Sequence, residues 1–404
     1  MRLGYGAGSV SLDLEGDEGF ELVLPNELAG AEDETAEIEM ALDDPIGPPL
    51  QEFVGCDTAA IMASDITRPA PTSKMLPPLV RRLEEIGVSD LLVVFGLGTH
   101  RRMTVEEMDR LLGGSACLPH IQHDKNRCVH IGETSRKTPV EILEDVASRD
   151  LKIGTGNIEY HYYAGYSGGA KALLPGVSSE RSINKNHAMM TDPRAKSGRL
   201  DNPVRLDMEE AAEIAGLDFI LNVVLNSKKE IVRAVAGDFV KAHRAGAKVV
   251  DEMYQKVVRP AEIVVTCAGG RPKDINLFQA QKAMENAREA VLPGGSLILL
   301  AECSEGLGHP VFERWAREAK CAEDCVERFG REYEFGGHKA ALIARESLDK
   351  DLILVSSMRP DLAEMCFFRH AKTLEEALAM ARERQGRYAR TIVMPHGNLT
   401  LATR

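Results

Sequence analysis

The densest set of chemically able side chains lies between His161 and His187. It begins H-Y-Y-A-G-Y-S-G-G-A-K at His161–Lys171, passes the serines Ser178 and Ser179, and closes a helix-forming segment with N-K-N-H. Two imidazoles, the Lys171 amine and a hydroxyl in a glycine loop thus share one supersecondary unit. Glycines let backbone N–H groups come close to a ligand. A helix start just downstream offers a partial positive charge. The pattern suits an anion held beside a reactive lysine. Gly165–Gly169 also reads G-Y-S-G-G, the pattern of a hydrolase nucleophile elbow. An elbow needs a buried strand directly before the serine, and E-Y-H-Y-Y-A is a poor one. His338, His370 or His396 would have to complete a triad, and nothing singles one out. A serine hydrolase stands as the lesser reading.

Three further groups follow apolar strands: D-I-T-R-P at Asp65–Pro69, G-L-G-T-H-R at Gly96–Arg101, and C-A-G-G-R-P-K-D at Cys267–Asp274. The second is not a dinucleotide fingerprint, because Arg101 stands where the third glycine belongs. It does place His100 at a strand–turn–helix corner. Gln279 and Lys282, three residues apart on a helix, project from one face. Cys321 and Cys325 read as helix-surface or core residues, since no second ligand pair follows.

The elements that must position these groups alternate. Strands are expected at Ala59–Ser64, Asp90–Gly96, Asp218–Leu225, Glu230–Ala236, Glu262–Cys267, Ser296–Ala301, Leu352–Ser356 and Arg390–Met394. The unbroken apolar run L-L-V-V-F favours a parallel sheet. Helices are expected near Leu79–Ile86, after the prolines Pro69, Pro71, Pro77 and Pro78, and at Val240–Val257 and Leu277–Val291. Thr104 with Glu107 predicts a capping box, and Thr373 with Glu376 predicts a second cap. Residues 1–40 suggest edge strands and a loop. The fold class expected is α/β: two α/β domains with largely parallel sheets and an active site in the interdomain cleft. The break at Arg259–Pro260 divides them into 1–258 and 259–404, with the C-terminal tail expected to return to the first domain.

A chain of 404 residues is too long for one ordinary core. With 44% hydrophobic and 27% charged residues it has the make-up of a soluble globular protein. A net charge of -13 without a long basic run argues against nucleic acid as a partner. No apolar run reaches membrane-spanning length, and the M-R-L-G-Y-G start lacks a signal-peptide apolar region. The eight scattered cysteines fit reduced thiols and a cytoplasmic location.

Taken together, D-I-T-R-P, G-T-H at Gly98–His100, the central H-Y-Y-A-G-Y-S-G-G-A-K, His187, F-Q-A-Q-K at Phe278–Lys282 and the tail P-H-G-N-L-T-L at Pro395–Leu401 resemble the nickel-dependent lactate racemase family. The resemblance covers most of the chain, and the ten- and sixteen-residue spacings of His161, Lys171 and His187 carry it. It implies a racemase or epimerase of a 2-hydroxy acid that uses a nickel-pincer nucleotide, a pyridinium mononucleotide binding nickel through sulfur, carbon and sulfur. Lys171 would hold this cofactor through a thioamide, and His187 would be the fourth, square-planar ligand. His100 and His161 would be general acid/bases. Arg68 and Lys282, with Gln279 alongside, would bind the substrate carboxylate. Asp65, Ser167, Gly168 and Gly169 would position the nucleotide. Separate biosynthetic enzymes make the cofactor, so a host lacking them would yield protein with a free Lys171. A carrier that only stores the cofactor is a third reading, against which the pair His100 and His161 argues.

The implied chemistry suits these residue types. Deprotonating the α-carbon beside a carboxylate is steeply uphill, whereas removing its hydrogen as hydride leaves a planar keto acid, and the cofactor carries that step. A base must then take the hydroxyl proton, and histidine titrates near neutrality. Inversion needs proton transfer in two orientations, hence two histidines. Arg68 can hold a carboxylate bidentately, and local cations outweigh a net charge beyond a Debye length of about 8 Å. The family's prototype lines its pocket with a tyrosine before the glutamine and a tryptophan farther on. Here Phe278 takes the first position and the single tryptophan, Trp315, comes too early. The substrate expected is therefore a 2-hydroxy acid other than lactate.

Overall fold

The computed structural model describes residues 1–13 and 20–404. The chain divides into two compact units, Glu27–Met253 and the combination of Met1–Asn26 with Tyr254–Arg404.

The Glu27–Met253 unit is built on six strands in the order Ile231–Gly237, Phe219–Leu225, Leu151–Ile158, Thr58–Ser64, Asp90–Gly96, His120–Gln122. All neighbours are parallel except the first pair, which forms an antiparallel hairpin. Thr58–Ser64 and Phe219–Leu225 are apolar and buried along nearly their whole length, as a sheet covered on both faces requires. Ile61, Val93, Phe95, Ile153, Phe219 and Leu221 form one core with Met75, Leu76, Leu79 and Leu83 of the helix Thr72–Glu85. That helix starts a full turn and more before the expected Leu79 and contains Pro77 and Pro78. Proline removes a backbone donor and resists a helix interior. Here Met75, Leu76, Pro78 and Leu79 are all buried, and burial of an apolar face outweighs local propensity.

The second unit carries six parallel strands in the order Arg369–Ala371, Asp351–Val355, Val291–Leu300, Ala261–Cys267, Thr391–Met394, Phe20–Leu22. A division at 258/259 keeps the first residues with the other unit, and the structure differs from it there. Phe20–Leu22 covers the edge of Thr391–Met394, with Glu21 opposite Ile392 and paired with Arg390. Covering an edge satisfies a row of backbone groups that would otherwise stand open. The tail stays in this unit as well: Leu401–Thr403 pairs with Gln255–Val257. Of the edge strands and loop expected in residues 1–40, the strands Arg2–Tyr5, Gly8–Ser11 and Phe20–Leu22 form, while residues 14–19 lie outside the described residues.

C-A-G-G-R-P-K-D has a structural task. Asp274 is wholly buried and accepts from the Gly6 N–H at 2.7 Å and the Glu302 N–H at 3.2 Å. The Thr104–Glu107 capping box forms as expected, and Thr373 caps its helix. Cys325 is buried, Cys321 is exposed, and all eight cysteines are free. Among the described residues no helix is long and apolar enough to cross a membrane.

Candidate active site

Three neighbouring parallel strands of the Glu27–Met253 unit deliver the key side chains from their C-terminal ends. Asp65 and Arg68 follow Thr58–Ser64, His100 follows Asp90–Gly96, and His161 follows Leu151–Ile158. Ser64 lies opposite Gly96 in the register, so the first two turns begin level. Ligands of open α/β sheets bind at such ends.

The turn after Asp90–Gly96 depends on Gly98 at φ +53 and on a 2.8 Å bond from the His100 N–H to the Leu97 carbonyl. It aims the imidazole at Asp65, whose Oδ2 lies 2.8 Å from Nδ1. The Thr67 hydroxyl is 3.3 Å from the same nitrogen. Burial alone would raise the Asp65 carboxyl, but hydrogen bonds from His100 and Thr67 outweigh it and hold the group below the usual carboxylate range. A carboxylate only accepts, so Nδ1 carries the hydrogen and Nε2 keeps a lone pair for proton transfer.

His161 sits on a short hairpin, with Tyr160 opposite Tyr166 and His161 opposite Gly165. The Tyr160 and Tyr166 hydroxyls both donate to Asp251 Oδ1, at 2.8 and 2.7 Å, which pins the hairpin. The His161 ring meets Tyr163 edge-on at 4.4 Å. Tyr163 is the hub of the site: its hydroxyl lies 2.7 Å from His187 Nε2, and Lys171 Nζ lies 5.6 Å from its ring centroid. Lys171 stands in a single turn, Gly169–Ala172. Burial, then the charges of Arg205 and Arg68, push its amine well below the usual lysine range. His187 ends the helix Glu180–His187, capped by Ser179. Burial, then the neighbouring Lys171, push its imidazole down to about 3. The unit thus sets an amine and an imidazole, each with burial opposing its charge, against one tyrosine, with Arg68 near enough for its charge to act on Lys171 and Tyr163.

The glycine loop spends its polar groups inside the protein. The Ser167 hydroxyl donates to the Asn157 carbonyl at 2.8 Å and accepts from the Glu159 N–H at 2.9 Å. His243 Nε2 lies 2.9 Å from the Ser167 carbonyl, not from its hydroxyl. The Gly169 N–H is given to Asn222 Oδ1 at 2.7 Å. Gly168, at φ +71, has no room for a Cβ, which would lie 2.7 Å from that same oxygen. This arrangement fixes the turn that presents Lys171 and leaves Ser167 no imidazole to activate it.

Four contributors went unnoticed in the sequence. Arg205, wholly buried, donates to the carbonyls of Ala164, Tyr166 and Gly168 and so clamps the loop before Lys171. Tyr163 and Asn186 meet the His187 ring, and Asp207 holds Asn186. Tyr163 and Asn186 stood inside quoted motifs, while Arg205 and Asp207 belong to the unremarked helix Pro203–Ala215.

In the other unit, Gln279 and Lys282 share a face of the helix Leu277–Ala287, and Lys282 Nζ donates to Gln279 Oε1 at 2.8 Å. Phe278 stacks on His309 at 5.4 Å and meets Phe335 at 6.0 Å.

Among the described residues no group of three or more His, Cys, Asp or Glu side chains could hold a metal ion. A metal at His187 would therefore take one imidazole from the protein and its other donors from a bound organic group. A buried amine beside that imidazole, its charge opposed by burial, is the side chain suited to tether such a group, so the residues fit a lysine-linked metal cofactor.

The chain matches two family models, the lactate racemase N-terminal domain over residues 5–198 and the lactate racemase C-terminal domain over residues 256–401. The first span contains Arg68, His100, His161, Lys171 and His187, and the second contains Gln279 and Lys282. The chain is similar to a lactate racemase of Thermoanaerobacterium thermosaccharolyticum, with 32% identity over 98% of this chain and 97% of the relative. A lactate racemase of Lactiplantibacillus plantarum is also 32% identical, over 89% of each chain. The solved lactate racemase apoprotein from T. thermosaccharolyticum superposes with a TM-score of 0.92 over the whole of both chains. A Thermotoga maritima protein shares the fold at 20% identity and a TM-score of 0.66.

Proposed function

The chain belongs to the lactate racemase family, and from that premise we propose that it racemises or epimerises a 2-hydroxy acid with a nickel-pincer nucleotide tethered to Lys171. The reading rests above all on one observation: Lys171 and His187, both buried, meet at Tyr163, while His100 stands on Asp65 at a neighbouring strand end.

Lys171 would hold the cofactor and His187 would supply the protein's nickel ligand. When bound, the cofactor supplies the hydride acceptor that takes a 2-hydroxy acid to its planar keto acid and back. The chain's own residues then have four tasks. Arg68 binds the substrate carboxylate. His100 takes the hydroxyl proton at Nε2, and Asp65 stands beside the imidazolium that results. His161 does the same for the other enantiomer and returns the proton. Arg205 and the bonds of Ser167 and Gly169 keep the Lys171 turn in one shape.

The hydrolase reading loses its support, because the Ser167 hydroxyl is turned onto a main-chain carbonyl. Phe278 in place of the prototype's tyrosine, with Trp315 too early to match its tryptophan, favours a substrate other than lactate. Chiral chromatography of cofactor-loaded protein over a panel of aliphatic, aromatic, dicarboxylic and sugar 2-hydroxy acids tests both levels. Racemisation of at least one acid is expected, with lactate not the preferred one. No inversion of any acid would overturn the activity, and a clear preference for lactate would overturn the substrate expectation alone.

A further inference from the structure

We propose that Asn186 and Asp207 are positioning residues for His187: a buried relay fixes its imidazole as the Nδ1–H tautomer and so keeps the Nε2 lone pair ready for a metal ion. The proposal rests on the reading of His187 as the nickel ligand.

The relay has only one consistent hydrogen assignment. Asn186 Nδ2 lies 3.0 Å from the Val204 carbonyl and 2.9 Å from Asp207 Oδ2. A carbonyl and a carboxylate both accept, so the amide must present its NH2 group to them. Turning the amide over would set its oxygen against two acceptors. Asn186 Oδ1 therefore faces His187 Nδ1, 3.1 Å away, and that nitrogen must donate. The far side of the ring agrees: the Tyr163 hydroxyl lies 2.7 Å from Nε2 and can donate to it. Asp207 is held in turn by the Thr134 hydroxyl, 2.6 Å from Oδ1. Thr134, Asn186, Asp207 and His187 are all buried, at 2%, 0%, 0% and 4% exposure.

Helix packing alone does not account for this arrangement. A link from the helix Glu180–His187 to the helix Pro203–Ala215 needs only the two bonds made by the Asn186 NH2 group. The amide oxygen is additionally spent on the imidazole. It is also a neutral acceptor, which orients the ring without giving it a counterion. Groups that orient a ligand imidazole in this way set its tautomer and its availability to metal.

The test uses full-length protein with 15N-labelled histidine, made in a host lacking the cofactor enzymes, and long-range 1H–15N correlation spectra. His187 is expected to show a protonated Nδ1 and a bare Nε2. Asn186→Ala should shift it toward the Nε2–H form. In protein made with the cofactor enzymes, the same variant should need roughly 10–100-fold more nickel to reach wild-type occupancy. Asp207→Asn, nearly isosteric, provides a second variant should Asn186→Ala fold poorly; it frees the amide to turn and should give a mixed tautomer. An Nε2–H ring in the wild type would overturn the proposal. So would folded variants that keep both the Nδ1–H signal and wild-type nickel occupancy while losing only thermal stability. His187→Ala with undiminished nickel would instead overturn the ligand reading and leave the tautomer result standing.

Discussion

His100 and His187 are oriented alike and surrounded differently. Each ring is held at Nδ1 by a side-chain oxygen, Asp65 Oδ2 at 2.8 Å for His100 and Asn186 Oδ1 at 3.1 Å for His187. The first oxygen is a carboxylate and the second an amide. The His100 side chain is 32% exposed at a strand end, whereas His187 is 4% exposed at a helix end. An anionic partner can stand beside a ring that becomes charged during proton transfer. A neutral partner in a dry site keeps the ring uncharged, as a metal ligand must be. On the proposed assignment, one fold makes a proton-transfer group and a ligand from the same side chain by changing the charge of one neighbour and the access of water.

The sharpest way to break this contrast is to delete each ring. His100→Ala is expected to lower racemisation by about 10²–10⁴-fold with nickel retained, whereas His187→Ala should lose nickel together with activity. Metal analysis beside chiral chromatography separates the two, and equal nickel loss in both variants would erase the distinction. Next in size, Asp65→Asn should cost on the order of 10²-fold in turnover by removing the anionic partner. Steady-state kinetics that show an unchanged rate would leave His100 without its proposed anchor.

Buried neutral histidines should also govern acid stability. Burial pushes His123 down to about 4, against the opposing pull of Asp124 and a main-chain bond at Ser178. Below the ordinary histidine pKa of about 6.5 the unfolded chain takes up a proton that the folded ring refuses. Stability is therefore full above that pH and falls as pH drops toward 4, by about 1.4 kcal/mol per pH unit for this ring. Urea unfolding between pH 7 and 5 should show the slope, and His123→Gln should flatten it. The smallest effect is expected for Ser167→Ala, a loss of about 1 kcal/mol from its main-chain bonds, with turnover lowered far less than in His100→Ala. Calorimetry and kinetics on the same preparation decide it, and abolished turnover would revive the nucleophile.

Much of this was legible in the residues. Strands with unbroken apolar runs, such as Asp90–Gly96, form close to their expected bounds because a sheet buried on both faces demands that composition. The Thr104–Glu107 cap is local chemistry and forms as read. Lys171, His161 and His187 lie within one short stretch, so their meeting was foreseeable. Non-local partnerships were hidden. Nothing in the sequence around Arg205 says that it will clamp carbonyls some forty residues away, and the Asn186–Asp207 bond joins two helices. The edge formed by Phe20–Leu22 is likewise a long-range pairing that local pattern does not encode. Pro77 and Pro78 misled because propensity is weaker than the burial of a helix face.

The central claim is that Lys171 tethers a nickel cofactor, and intact-mass measurement with metal analysis on protein from its native source tests it most directly. The expected mass exceeds that of the polypeptide by one cofactor, mapped by peptide digestion to Lys171, with about one nickel per modified chain. Fully active protein of unmodified mass without nickel would contradict it.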